Sequence, residues 1–110
     1  MTLKETIAMV EDFHNAFGIE NRQTPTAELS ESQRELRYRL MAEENDEYLE
    51  AVKNNDLVEI ADALCDQLYI LCGTILKHGL QDKPEWNHFM KLFNIIDVKD
   101  SGIIVSYIII

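Results

Sequence analysis

Apolar residues recur at helical period along most of this chain, and they do so in four stretches. In the first, Leu3, Ile7, Val10, Phe13, His14 and Phe17 share one helix face. Thr2 and Glu5 have the spacing of a capping box, so the helix is predicted to begin after Thr2 and to stop at Gly18. A polar loop containing Pro25 follows over residues 18–29. Ser30 and Gln33 repeat the capping-box spacing and predict a second helix through Leu36, Leu40, Met41, Tyr48 and Val52, ending near Asn54-Asn55. Asp56 caps a third, with Glu59 at the matching position; it runs from Leu57 to His78 and stops at Gly79, with Lys77 and His78 suiting its negative end. A shorter fourth helix opens at Pro84 and carries Trp86, Phe89, Met90, Leu92 and Phe93.

The pattern predicts an all-α fold, an antiparallel bundle of about four helices with a short irregular or β-like tail. The short connection at Asn54-Asn55 makes the second and third helices a hairpin. Residues 1–97 read as one helical domain. Residues 98–110 read as an atypical apolar tail, a turn at Asp100-Ser101-Gly102 followed by IIVSYIII, which needs cover or pairing to avoid aggregation. The third helix is apolar nearly all round and is predicted to be buried. A lone chain of 110 residues covers such a helix poorly, so a homodimer or a dimer of dimers is expected.

A net charge of -10 excludes wrapping a nucleic-acid backbone, which needs a surplus of Lys and Arg. Cys65 and Cys72 stand seven apart on one helix, about 10 Å between Cα atoms, too far for a mutual disulfide. Both are expected to be reduced core residues of a cytoplasmic protein. No signal-peptide pattern is evident, and no apolar run reaches the length of a membrane span.

The acids are distributed less evenly than a solvated surface requires. Glu43, Glu47 and Glu50 fall within one stripe of the second helix, with Glu44 at its border. Glu59, Asp62 and Asp66 fall on one stripe of the third. Glu59 has a capping explanation; Asp62 and Asp66 lie beyond the first turn of an apolar helix, where carboxylates are costly unless paired or bound to a cation. Few Lys or Arg are placed to neutralise them. An all-oxygen cluster suits a hard divalent cation, Mg²⁺ or Mn²⁺.

Glu44-x-x-Glu47 with Glu43 before it, followed by Glu59-x-x-Asp62, resembles the all-α NTP pyrophosphohydrolase superfamily. That group includes MazG-type enzymes, phosphoribosyl-ATP pyrophosphohydrolase and dimeric dUTPases. The stretches EENDEYLEA and DLVEIADALCDQLYILCGTILKHG look MazG-like in particular, and DFHNAF and LRYRLM fit as well. The resemblance covers roughly residues 6–94. It implies Mg²⁺ held by Glu44, Glu47, Glu59 and Asp62, with Asp66 available to a further metal. It implies a nucleoside triphosphate as partner, cleaved between its α- and β-phosphates to a monophosphate and pyrophosphate. Glu43 is expected as the catalytic base or an outer ligand, and Arg37, Arg39 and Lys91 as phosphate-binding cations. Close relatives continue after the fourth helix with a polar segment resembling S-N-M-S-K; here the match fades after Asn94 and IIDVKDSGIIVSYIII follows.

Two other readings compete. Glu11-x-x-His14 and Glu85-x-x-His88 have the spacing of di-iron carboxylate bundles. A non-catalytic metal-binding or interaction module of the same fold is the other. Phe17 and Trp86 offer rings for stacking on a base, and aromatic residues at helical spacing equally serve a core.

Overall fold

The computed structural model describes residues 2–82 of the chain. These form three helices: α1 (Leu3–Ala16), α2 (Glu31–Lys53) and α3 (Leu57–Lys77). There is no strand among the described residues, and the all-α expectation holds there with three helices. The helix expected from Pro84, the boundary at residue 97 and the apolar tail lie outside the described residues.

The caps fall where the sequence puts them. Thr2, Ser30 and Asp56 each accept a hydrogen bond from the backbone N–H three residues on, at 3.1, 3.2 and 3.1 Å. Only half of each capping box forms around α2 and α3. Gln33 Oε1 is enclosed and has no hydrogen-bond partner, and the Asp56 N–H donates to the Ala51 carbonyl instead of the Glu59 side chain. That last bond belongs to the end of α2. Asn55 takes a left-handed φ of 53°, its N–H donates to Val52 O, and the next N–H, of Asp56, reaches Ala51 O at 3.0 Å. This is a Schellman ending with Asn in the glycine place. Asp56 thus closes α2 with its backbone and opens α3 with its side chain, which is why so short a connection suffices. Gly18 and Gly79, with φ of 69° and 66°, end α1 and α3 in the same way.

Helix α3 is the central element, packed by α2 on one side and α1 on another; α1 and α2 do not pack on each other. The core joins Ile7 and Val10 of α1 to Cys72, Ile75 and Leu76 of α3, with Leu3 and Leu80 against it. The α2–α3 seam uses small buried residues, Ala51, Ala63 and Gly73. Gly73 lets side chains approach α3 closely: a Cβ would come within 2.9 Å of Arg37 Nη1 and 3.3 Å of His14 Cε1, so the guanidinium would have to shift.

Helix α3 is not buried all round. Leu57, Val58, Leu64, Leu68 and Leu71 are exposed, as are Met9, Phe13 and Phe17 on α1. Two packed helices cover only part of the surface of a third. Both cysteines are free, but Cys65 is exposed and only Cys72 lies in the core, which corrects the expectation for Cys65. No helix among the described residues is long and apolar enough to cross a membrane.

Candidate active site

The hairpin turn sets which residues of α2 and α3 face each other. In an antiparallel pair, residues equally far from the turn come opposite. Glu44 and Asp66 are equidistant from Asn55, and so are Arg37 and Gly73. Glu47 lies one turn after Glu44 on the same face. Glu44, Glu47 and Asp66 accordingly converge, each offering one carboxylate oxygen, with all three oxygens within 4.8 Å of one another. Glu44 and Asp66 are partly buried and Glu47 is exposed.

The electrostatics of this group are unfavourable as it stands. Loss of solvation, then a hydrogen bond and charge repulsion from Glu47, then the charges of Asp66 and Asp62, push the Glu44 carboxyl up to about 7 from an ordinary 4.5. Its Oε2 is enclosed and has no hydrogen-bond partner. No Lys or Arg forms an ion pair with the three carboxylates among the described residues. Two full charges at this separation repel by about 3 kcal/mol near a protein surface, less where solvent screens an exposed partner such as Glu47. That exceeds the few tenths typical of like charges along one helix. A solvated face would splay these side chains apart; here two helices hold them together.

Glu59 and Asp62 take a different position. They line an adjoining cleft of about 440 Å³ beside the hairpin turn, with Glu47, Glu50, Ala51, Asn54 and Asp56. Glu59 lies too close to the turn to face Glu44. Its side chain is not used in the α3 cap, so the capping explanation for its presence falls away. Glu47 belongs to both groups and links them. The donor set is oxygen alone, which fits a divalent Mg²⁺- or Mn²⁺-type cation and not a soft metal. An enclosed, unpartnered carboxylate oxygen fits the same ion.

The remaining expected residues are dispersed. Glu43 is exposed on α2, outside the group of three. Arg39 is exposed, and Lys91 lies outside the described residues. Arg37 is neither a plain surface charge nor beside the carboxylates: its guanidinium lies over Gly73, half-buried, and burial lowers its pKa, with Tyr69 acting in the opposite direction. His14 is 3% exposed; its Nδ1 bonds Asn21 Oδ1 at 2.7 Å. It joins no group of three metal-ligating side chains among the described residues. Glu85 and His88 lie outside those residues.

The sequence reading gave no site role to Asp56, although it is an acid at the mouth of the hairpin. It also gave none to Tyr69, which continues the Asp62–Asp66 stripe by one turn and packs edge-on to Phe13, ring centroids 5.6 Å apart. Tyr69 lies with Met9 and Phe13 along an apolar cleft between α1 and α3, away from the carboxylates.

A helical hairpin whose facing sides gather carboxylates thus lies beside an open cleft. Residues 10–91 match the family model of phosphoribosyl-ATP pyrophosphohydrolase. The chain belongs to that family, whose members hydrolyse a pyrophosphate linkage in a nucleotide. Comparison with curated proteins finds no match, and comparison with solved structures finds none.

Proposed function

We propose that this protein hydrolyses a nucleoside triphosphate, or a related nucleotide, between its α- and β-phosphates, releasing a nucleoside monophosphate and pyrophosphate, with Mg²⁺ as cofactor and Mn²⁺ as substitute. The observation that carries the reading is the convergence of Glu44, Glu47 and Asp66 within 4.8 Å, with no cation side chain in ion-pair contact among the described residues, in a chain of this family.

In this reading Glu44, Glu47 and Asp66 hold one cation, and Glu59 and Asp62 stand ready across the adjoining cleft for a second or for the same ion once substrate is bound. When bound, such an ion would polarise phosphoryl oxygens and acidify a water. Glu43, exposed on α2 one turn before Glu47, accepts the proton of the attacking water. The water oxygen forms a bond to the α-phosphorus; the bond from that phosphorus to the bridging oxygen breaks, and its electron pair leaves with pyrophosphate. The cleft is open, with room for phosphates beside the carboxylates. Phosphate-binding cations are expected from Arg39 and Lys91, while Arg37 acts from its half-buried place on α2.

The exposed apolar residues of α1 and α3 support a homodimer or dimer of dimers, which would cover Leu64, Leu68 and Leu71. The reading sets the protein in the cytoplasm, acting on free nucleotides rather than on a nucleic-acid polymer. A panel of NTPs and dNTPs incubated with Mg²⁺, with products resolved by chromatography, tests it. Monophosphate and pyrophosphate, lost on chelation, are expected; no product with any nucleotide at saturating metal would overturn the reading.

A further inference from the structure

A second cleft lies at the other end of the hairpin. It measures about 360 Å³ and is lined by Glu20, Arg22, Leu29, Ser30, Gln33 and Lys77. Gln33 and Glu44 stand eleven residues apart on α2, about 16 Å along the axis. The two clefts are therefore separate, and the Arg37–Gly73 crossing lies between them.

The charge here is opposite to that of the chain as a whole. Arg22 and Lys77 line the cleft, and Arg37, one turn along α2 from Gln33, is near enough for its charge to lower the Lys77 pKa, after burial and against the effect of Glu20. Glu20 supplies the opposing carboxylate. Two lining cations against one anion, with Arg37 close by, is a local positive excess in a chain of net charge -10.

Two further observations concern groups left without partners. Gln33 Oε1 and Arg37 Nε are both enclosed and without hydrogen-bond partners. A carboxamide can turn over and present its NH₂ in place of its oxygen, so Gln33 can serve an anion as a donor. Arg22 is anchored by its backbone alone: its N–H donates to Leu76 O at 3.1 Å, and its carbonyl accepts from Gln81 Nε2 at 2.9 Å. Its guanidinium makes no hydrogen bond or ion pair among the described residues. The loop fixes where Arg22 stands and leaves its side chain available. Lys77 donates to the Glu20 carbonyl and keeps its other N–H donors. The start of α2 adds the positive end of a helix dipole from the same side.

We propose that this cleft is a second anion site, distinct from the carboxylate centre, that takes a phosphate group, free or as a monoester, through Arg22 and Lys77 with Gln33 completing the donors. The inference does not depend on the catalytic reading, because the binding step needs no divalent ion.

The test is a titration of the whole protein with inorganic phosphate in the presence of a chelator, followed by calorimetry or ³¹P line width. Saturable one-to-one binding is expected, weakened about tenfold or more by R22Q and by K77Q and unchanged by E44Q. K77Q also removes the bond to Glu20, so R22Q, with an unaltered melting temperature, decides the matter. No saturable binding, or equal binding by wild type and R22Q, would overturn the site. The source of the phosphate is read separately, from steady-state kinetics with metal. If the site receives the far phosphate of a nucleotide phosphorylated at both ends, R22Q raises KM for that substrate and leaves KM for ATP alone. If free phosphate is the ligand, both KM values stay and only the phosphate isotherm moves. Failure of the catalytic reading would leave the metal-free isotherm intact, so the two claims fail separately.

Discussion

Glu44 of α2 faces Asp66 of α3 across the hairpin, with carboxylate oxygens brought within 4.8 Å, and the Asp66 charge is one of the causes that raise the Glu44 carboxyl to about 7. The pair joins the two halves of the acidic pattern and governs how the metal-free protein responds to pH.

In the folded state Glu44 keeps its proton up to about pH 7, while in the unfolded chain it releases it near 4.5. Between those values the folded state binds more protons. The contribution of Glu44 to stability therefore falls as pH rises through that window and levels off above it. With chelator present, the melting temperature of wild type should drop relative to E44Q as pH is raised from about 5 to about 8. Saturating Mg²⁺ should reverse the drop, because a cation takes the place of the proton. Parallel curves for the two proteins would contradict the assignment.

Glu47→Gln removes one charge from the repelling group. Turnover should fall by roughly a hundredfold or more, while the metal-free melting temperature rises, the signature of an acid kept for function at a cost in stability. Circular dichroism and a thermal melt beside the kinetic assay read both. Loss of turnover together with a lower melting temperature would mark Glu47 as structural. Glu43→Gln, outside the group of three, should lower kcat by about a hundredfold and leave Mg²⁺ affinity unchanged by calorimetry.

Two glycines with nearly the same backbone differ in their surroundings. Gly18, φ 69°, has nothing within 4 Å of an added Cβ, whereas at Gly79, φ 66°, the Cβ would land on the Thr24 carbonyl. Gly18→Ala should cost about 1 kcal/mol, from the left-handed conformation alone. Gly79→Ala should cost about 2 kcal/mol more, because backbone must move. Urea denaturation separates the two; equal losses would mean that the 18–29 loop yields freely.

If the exposed apolar face of α3 is a subunit interface, a charge placed there should dissociate it. Leu68→Glu, at a position 45% exposed in the single chain, should convert a dimer to a monomer in sedimentation velocity at micromolar concentration. A monomeric wild type would remove the interface.

The helices were legible because their ends carry local signals. Thr2, Ser30, Asp56, Gly18 and Gly79 each act through neighbouring backbone, and each does what its residue type dictates. The site was legible as a set of acids but not as a constellation. Spacing gives the stripes, and the family resemblance implies Glu44 and Glu47 with Glu59 and Asp62. The turn at Asn55 sets another register, which places Asp66 opposite Glu44 and moves Glu59 toward the mouth. Had the turn been fixed first, equal distance from Asn55 would have selected Asp66. Arg37 illustrates the opposite limit: nothing local to it signals a guanidinium lying over a glycine one helix away, since that contact depends on Gly73 being the residue opposite.

The measurement that bears most directly on the catalytic claim is hydrolysis in ¹⁸O-labelled water with Mg²⁺, with products separated and weighed by mass spectrometry. Label in the nucleoside monophosphate and none in pyrophosphate is expected, since the water oxygen ends on the α-phosphorus. Label in released inorganic phosphate beside a diphosphate product, or label in pyrophosphate, would contradict attack at that atom.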